Sequence, residues 1–468
     1  MSLIGAALSA NKIYNFEQAL GAKDITSPAM RKAITDWNNL YYCDEVDEKE
    51  DPGQRLPVAI VTKLYKTVFS EYSAAPTGKG GKADYIDDVL RGLDGARKKA
   101  TQQMLIGGRC YLKPLIGTPM EFVVIGRRDY MPLGRDALGR VTDIGTWEQT
   151  FDGNSVYTLI ERRTVDAAGY LTIESKLYRA DMASGTLGTE IPVKSLEKYA
   201  QLEPLVRLPE PVYSIGLIPL ECPAENCVDG SPDPVAVYAA ACGLIHNINR
   251  NEAQINTEFE NGESRLIVPA DMLRRRADGT RALKDHVFVG APPDVNGESH
   301  ITPFSPALRD QSFLNRKTEY LRNVESLIGL KRGILSQVEA TEKTATEITS
   351  SAGEYNLTII DFQQAWESAV REAVRVCNIL GQMYHLCDGT GVDPETDVTI
   401  SWGNGILYDE DQAWTDYKTM VAAGMLKPEI ALGWYFDMPT ETPEDLAAIR
   451  EKYMPDVQEM TDEEETGR

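Results

Sequence analysis

Histidine and cysteine are scarce in this chain, and the patterns that would give them chemistry are missing. Four histidines (His246, His286, His300, His385) are spread over 468 residues, none spaced with a second ligand or a base. The seven cysteines (Cys43, Cys110, Cys222, Cys227, Cys242, Cys377, Cys387) are odd in number and scattered. That argues against a disulfide framework and for a reducing compartment. Cys222 and Cys227 could be half of a zinc site, but no second pair or histidine cluster follows at suitable spacing. No G-x-S-x-G, H-E-x-x-H, Walker or Rossmann glycine pattern occurs. Pro76-Thr77-Gly78-Lys79-Gly80-Gly81-Lys82 has the composition of a phosphate loop. No glycine stands at the required offset, Ala83 replaces the Ser/Thr, and no strand is read before it, so a flexible loop is expected. His246 reads as a structural histidine, since no acidic or Cys/His partner is spaced with it. No catalytic, cofactor-binding or metal-binding residue is assigned, and an enzyme is not expected.

Positive charge is also short. Lys and Arg number 48 against 71 Asp and Glu, for a formal net charge of −23. Such a surface resists non-specific binding to nucleic acid, because it releases no counterions from phosphate. It speaks for solubility and not for a fold. No run approaches the roughly 18 apolar residues of a membrane span, so no membrane partner is expected. Met1 to Leu20 carries Lys12 and Glu17 in its interior and lacks the regions of a signal peptide, so the chain is expected to stay in the cytoplasm.

What is present is one very long helical pattern. Ile348, Ala352, Tyr355, Ile359, Phe362, Trp366, Ala369, Ala373, Val376, Leu380, Met383 and Cys387 recur in alternating steps of four and three. Thr344 and Glu347 make a capping box at its start, and only Gly353 and Gly381 weaken it, each by about 1 kcal/mol. Lys343 to Cys387 therefore predicts a rod of about 65 Å, which must lie against something equally long.

Around this rod the chain is mixed. Ser27 to Tyr72 reads as helix, acidic loop, helix, and Ala83 to Met104 as an amphipathic helix stopped by Gly107-Gly108. Cys110 to Ile116, Glu121 to Ile125, Val141 to Thr150, Ser155 to Val165 and Tyr170 to Tyr178 have strand composition. The spacers Asp136 to Gly139, Asp152 to Asn154 and Asp166 to Gly169 are turn formers, so an antiparallel meander is predicted. Asp233-Pro234 and Ser305-Pro306 each look like a helix start. The helices behind them bracket an insert with short β-like pieces and the main basic cluster, Arg274, Arg275, Arg276, Arg281 and Lys284. That cluster is either a solvated helix end offset by Asp278 and Asp285 or a docking surface for an acidic partner or nucleic acid. A short polar stretch, Leu330 to Glu342, joins the second helix to the long one. After it come a strand at Val398 to Trp402, helices from Asp409 to Tyr453, and an acidic tail.

This order of segments resembles the tailed-bacteriophage portal family of the SPP1 type. The likeness is carried by Gly329-Leu330-Lys331 through Lys343-Thr344-Ala345-Thr346-Glu347-Ile348, by Tyr157 to Arg162 with Gly169 to Ile173, by Gly216 to Pro219, and by Gly424 to Glu429. The resemblance implies an α+β portal-protein fold with long stem and wing helices, an antiparallel β-rich wing, a small α/β clip and a helical crown. By position, 1–232 would be the wing, 233–262 the first stem helix, 263–304 the clip and 305–329 the second stem helix. Residues 330–342 would be the tunnel loop, 343–387 the long wing helix, 388–408 a wing strand, 409–453 the crown and 454–468 an acidic tail. It also implies a homo-oligomeric ring of roughly twelve subunits at one capsid vertex, assembled in the host cytoplasm. Terminase would drive double-stranded DNA through the ring, DNA would leave by it at infection, and head-completion, major capsid and scaffold proteins would be further partners. The DNA-channel residues would be Lys331, Arg332, Glu339, Glu342 and Lys343, and the clip cluster would dock a partner. Two competing readings are a DNA-packaging or processing enzyme and a helical scaffold without a DNA role.

Overall fold

A computed structural model describes residues 16–43, 51–115, 117, 119–182, 184–262, 265–269, 288–291, 302–304, 308–336, 345–386, 391–402, 410–436, 438–440 and 442–454. The chain divides into two compact units, 1–69 with 74–400 and 70–73 with 401–468.

In the first unit, α1 (Pro28–Tyr42) begins where the Ser27 hydroxyl accepts from the Met30 amide at 3.1 Å. α2 (Leu56–Val68) follows; of the acidic loop between them, Cys43 to Gln54, residues 44–50 lie outside the described residues. A strand, β1 (Ser73–Pro76), stands directly before the glycine-rich stretch, which corrects the sequence reading there. Its partner is β14 (Val398–Ser401), far along the chain and invisible to local pattern. α3 (Gly81–Gly107) then runs to a stop at Gly108.

The expected strands form, but they divide between two sheets and not one meander. β2 (Arg109–Leu115), β3 (Glu121–Ile125) and β10 (Ile218–Glu221) make one antiparallel sheet in the order β10-β2-β3. β4 (Tyr130–Arg135), β5 (Val141–Asp152), β6 (Ser155–Val165), β7 (Tyr170–Asp181) and β8 (Thr189–Ile191) follow one another in a second, and β9 (Leu205–Pro211) also pairs with β7. Two turns work by the same device. Asp136 Oδ1 accepts from the Leu138 and Arg140 amides at 2.9 Å, and Asp166 Oδ1 accepts from Ala168 at 3.0 Å and Tyr170 at 2.9 Å.

The helix start expected at Asp233-Pro234 is displaced. α4 (Cys242–Asn261) begins after a single 3-10 turn, and residues 233–238 are not helical. Three interactions hold them otherwise. Asp233 is buried and binds the Arg135 guanidinium, with Arg109 3.9 Å away. The Val237 amide bonds the Leu105 carbonyl, at the end of α3, at 3.0 Å. Pro234 presses on Gly108 so closely that a Cβ there would meet its carbonyl oxygen at 2.2 Å. Asp233 is engaged by Arg135, and Ala241 stands at the N-cap of α4 in its place.

β11 (Arg265–Pro269) pairs parallel with β12 (Phe288–Ala291) and antiparallel with β13 (Thr302–Phe304). α5 (Asp310–Ile328) returns along α4. Ser305 and Pro306, read as its start, lie outside the described residues. Arg309 bonds Glu258 at 3.0 and 2.7 Å, and Lys317 bonds Glu252 at 2.7 Å. Rising numbers on one helix meet falling numbers on the other, so the two are antiparallel.

α6 (Ala345–Met383) is the long helix, 39 residues or about 58 Å. Thr344 and Cys387 lie outside the described residues. Ile359, Phe362, Trp366, Ala369, Ala373, Val376 and Leu380 of the stripe are all buried. Their counterparts are in the same chain. Trp366 meets Phe69 edge to face at 5.5 Å, and Val376 and Leu380 pack with Leu171, Leu208 and Val212 of the sheet region. Gly381 has a packing reason: a Cβ there would lie 2.3 Å from the Tyr85 hydroxyl, which donates to the Cys377 carbonyl.

The second unit holds α7 (Glu410–Ala422), α8 (Pro428–Tyr435) and α9 (Pro443–Tyr453). Trp414, Tyr417, Trp434 and Tyr435 stack between α7 and α8, with centroids 4.5 Å (Trp414–Tyr435) and 4.9 Å (Tyr417–Trp434) apart. Thr442 and Asp445 complete a capping box at α9.

Candidate functional site

The polar stretch after α5 is built on one carboxylate. Glu325, in the last turn of α5, has no solvent exposure. Its oxygens accept from the amides of Gly333 at 3.1 and 3.2 Å and Ser336 at 2.9 Å, from the Leu335 amide, and from the Ser336 hydroxyl at 2.8 Å. A buried carboxylate is costly unless its lone pairs are filled, and successive backbone N–H groups make a concave anion site. Here the chain supplies that site to its own glutamate. The Glu325 carbonyl also accepts from the Leu330 amide at 2.8 Å.

Between these two attachments the chain makes a tight turn, with the Ile334 amide bonded to the Lys331 carbonyl at 3.2 Å. Lys331 and Arg332 sit on it and are exposed, while Leu330 and Ser336 on either side are buried. Lys63 of α2 reaches the Ile334 carbonyl. Of the five residues assigned to the channel from sequence, these two are thus brought together. Glu339, Glu342 and Lys343 lie outside the described residues, as do Arg274, Arg275, Arg276, Arg281 and Lys284.

Sequence reasoning missed Glu325, because a glutamate in a helix ordinarily faces water. It also missed the partners of His246. The Asp36 carboxylate lies 3.2 Å from Nε2 and that of Asp51 3.2 Å from Nδ1. The hydrogen bond to the Asp36 carboxylate raises the imidazole pKa above its ordinary value; burial opposes this, and Asp51 adds to it. The group ties α4 to α1 and, through Asp51, to the acidic loop.

Among the described residues no cluster of three or more His, Cys, Asp or Glu could hold a metal ion, and no helix is long and apolar enough to cross a membrane. One large cavity, about 970 Å³, lies beside the turns at Asp136 and Asp166. Six of its lining charges pair with one another, Arg140 with Asp136, Arg109 with Glu221 and Arg375 with Glu372, and the seventh, Asp166, pairs with Arg207 outside the lining. This is the pattern of a braced wall.

A family model described as "Phage portal protein, SPP1 Gp6-like" matches residues 186–459. The chain belongs to this family. The match takes in β8 to α9, including the helix pair, the Glu325 turn and α6. The strand pair at Tyr157 to Arg162 and Gly169 to Ile173, part of the sequence resemblance, precedes it. A search of curated proteins gave no match. Portal proteins are structural rather than catalytic, and membership implies a capsid-associated oligomeric portal at a virion vertex.

Proposed function

We propose that this portal protein forms a ring of roughly twelve subunits whose channel passes double-stranded DNA. Terminase drives the genome in through it, and the genome leaves by it at infection. In this reading 1–232 with α6 and the strand at 388–408 form the wing, and 233–262 and 305–329 carry the stem helices α4 and α5. Residues 263–304 form the clip, which docks terminase and later a head-completion protein; the basic cluster at 274–284 suits that task by charge. Residues 330–342 line the channel, and 409–453 form the crown, followed by the acidic tail. Capsid and scaffold proteins meet the outside during assembly in the host cytoplasm.

The observation that carries the reading is the family match across the antiparallel helix pair, the turn and the long helix. The charge distribution supports it. A conduit must not grip its cargo, since each phosphate neutralised adds affinity through counterion release. A chain of net charge −23 with Lys331 and Arg332 exposed on one turn fits a wall that steers DNA without holding it. Ring symmetry repeats those two cations into a belt. Negative-stain imaging of the purified protein tests this: rings with a central hole of about 20 Å or more are expected, wide enough for a duplex. Only monomers or dimers under all conditions would sink it, and ATPase or metal-dependent nuclease activity would favour a packaging enzyme instead.

A further inference from the structure

We propose that Glu325 is the positioning residue for the DNA-facing cations, clamping both ends of the turn that presents Lys331 and Arg332. This rests on reading residues 330–342 as channel-lining. The clamp has two jaws on one residue. The Glu325 main-chain carbonyl holds the entry to the turn through the Leu330 amide at 2.8 Å. Its carboxylate holds the exit through the amides of Gly333, Leu335 and Ser336 and the Ser336 hydroxyl. The chain between these jaws is Lys331 and Arg332, with the Ile334 amide closing the turn onto the Lys331 carbonyl at 3.2 Å.

Two further contacts tie the clamp to the body of the protein. Lys63, on α2, bonds the Ile334 carbonyl. Gly329 touches Thr358 of α6, where a Cβ would meet the hydroxyl oxygen at 2.4 Å. The turn therefore shares one anchor with α2, α5 and α6. Hydrogen bonds to a carboxylate are about twice as strong as neutral ones, and each lost donor in a buried site goes unsatisfied. Several of them on one residue make the backbone of 330–336 a fixed platform. The two cations then project from defined Cα positions, and in a ring the belt they form has a set radius.

The test uses assembled full-length rings of wild type, Glu325→Gln, Glu325→Ala and the Lys331→Glu/Arg332→Glu double variant. Glu325→Gln keeps one acceptor oxygen and turns an NH2 group on the amides, so it loosens the turn with the smallest change in shape. Should Glu325→Ala fail to assemble, Glu325→Gln carries the test. Expected in Glu325→Gln rings is amide hydrogen exchange at 333, 335 and 336 faster by about tenfold or more. Trypsin should cleave after Lys331 and Arg332 correspondingly faster, with exchange in α3 and the β5–β7 strands unchanged. DNA packaging should fall although both cations are intact, which a purely structural role would not produce in rings of normal yield. Unchanged exchange at 333–336 overturns the clamp. Faster exchange with normal packaging, alongside defective Lys331→Glu/Arg332→Glu rings, overturns the positioning role. If the double variant packages normally, the channel reading itself falls, and the exchange data alone judge whether Glu325 holds the turn.

Discussion

A Cβ on Gly329 would stand 2.4 Å from Thr358 Oγ1, so the cap of α5 and the side of α6 meet without room for a methyl group. Gly329 also sits at φ +74°, in the left-handed region. Gly329→Ala meets both constraints at once. The backbone term alone is about 1–2 kcal/mol for a residue with a Cβ. Thermal unfolding should fall accordingly, and Gly329→Ala/Thr358→Ala should recover only the steric part. A Gly329→Ala protein as stable as wild type would refute the close approach.

Trp366 is the largest side chain that α6 buries, at 1 % exposure, with its ring edge-on to Phe69. Phe69 in turn carries the Arg97 guanidinium 5.2 Å from its centroid. Trp366→Ala should cost about 3–5 kcal/mol in denaturant unfolding, with Trp366→Phe losing less. Phe69→Ala added to Trp366→Ala should cost less than it does alone, because its partner is already gone. Strict additivity would show that the two rings act independently.

What was legible in the sequence follows physical range. The α6 stripe could be read because helix periodicity is local: its members from Ile359 to Leu380 are buried, and Met383 is partly buried. β6 and β7 could be read because alternation and an aspartate turn are local too. β4 was not read: Pro132 and Gly134 break its composition, and register shifts flank Gly134. Asp233-Pro234 carried a true cap signal that lost to Arg135, nearly a hundred residues away. At the site, Lys331 and Arg332 stood out as charges in a short polar linker. Glu325 did not, since its donors lie in the loop it organises. His246 found its two carboxylates 195 and 210 residues away, a distance no spacing rule reaches.

That histidine makes stability depend on pH with a definite sign. Its pKa is raised in the folded protein, chiefly by Asp36, so the folded state binds the proton more tightly than the unfolded chain. The stabilisation is complete below the unfolded value of about 6.5 and is lost as pH rises through the folded one. Denaturation of wild type and His246→Gln between mildly acidic and mildly alkaline pH should show a gap that narrows as pH increases. A gap that widens with pH would contradict the ion pair.

At α9 the Thr442 amide donates to Asp445 Oδ2 at 3.0 Å, and the Asp445 amide donates to Thr442 Oγ1 at 3.2 Å. The Thr442 hydroxyl, followed by its amide, lowers the Asp445 pKa. Such a carboxylate stabilises above its ordinary range and loses that contribution as pH falls through its folded value. Thr442→Ala and Asp445→Ala should each speed amide exchange in α9 a few-fold at neutral pH, and by less in acid. Equal effects at both pH values would remove the carboxylate from the account.

Lys331 and Arg332 are both exposed, so in the proposed channel their effect on DNA should be screened by salt. The Debye length is about 10 Å at 0.1 M and about 3 Å at 1 M. Lys331→Ala/Arg332→Ala removes the belt and should reduce packaging moderately. Lys331→Glu/Arg332→Glu replaces it with a ring of repulsion facing the phosphates and should reduce packaging sharply. Ring yield should stay normal, since neither side chain is buried in its own chain. Raising ionic strength within the range terminase tolerates should narrow the difference between the two variants, because screening weakens repulsion more than it alters a neutral wall. Equal packaging by both at low salt would mean that these residues face away from the DNA.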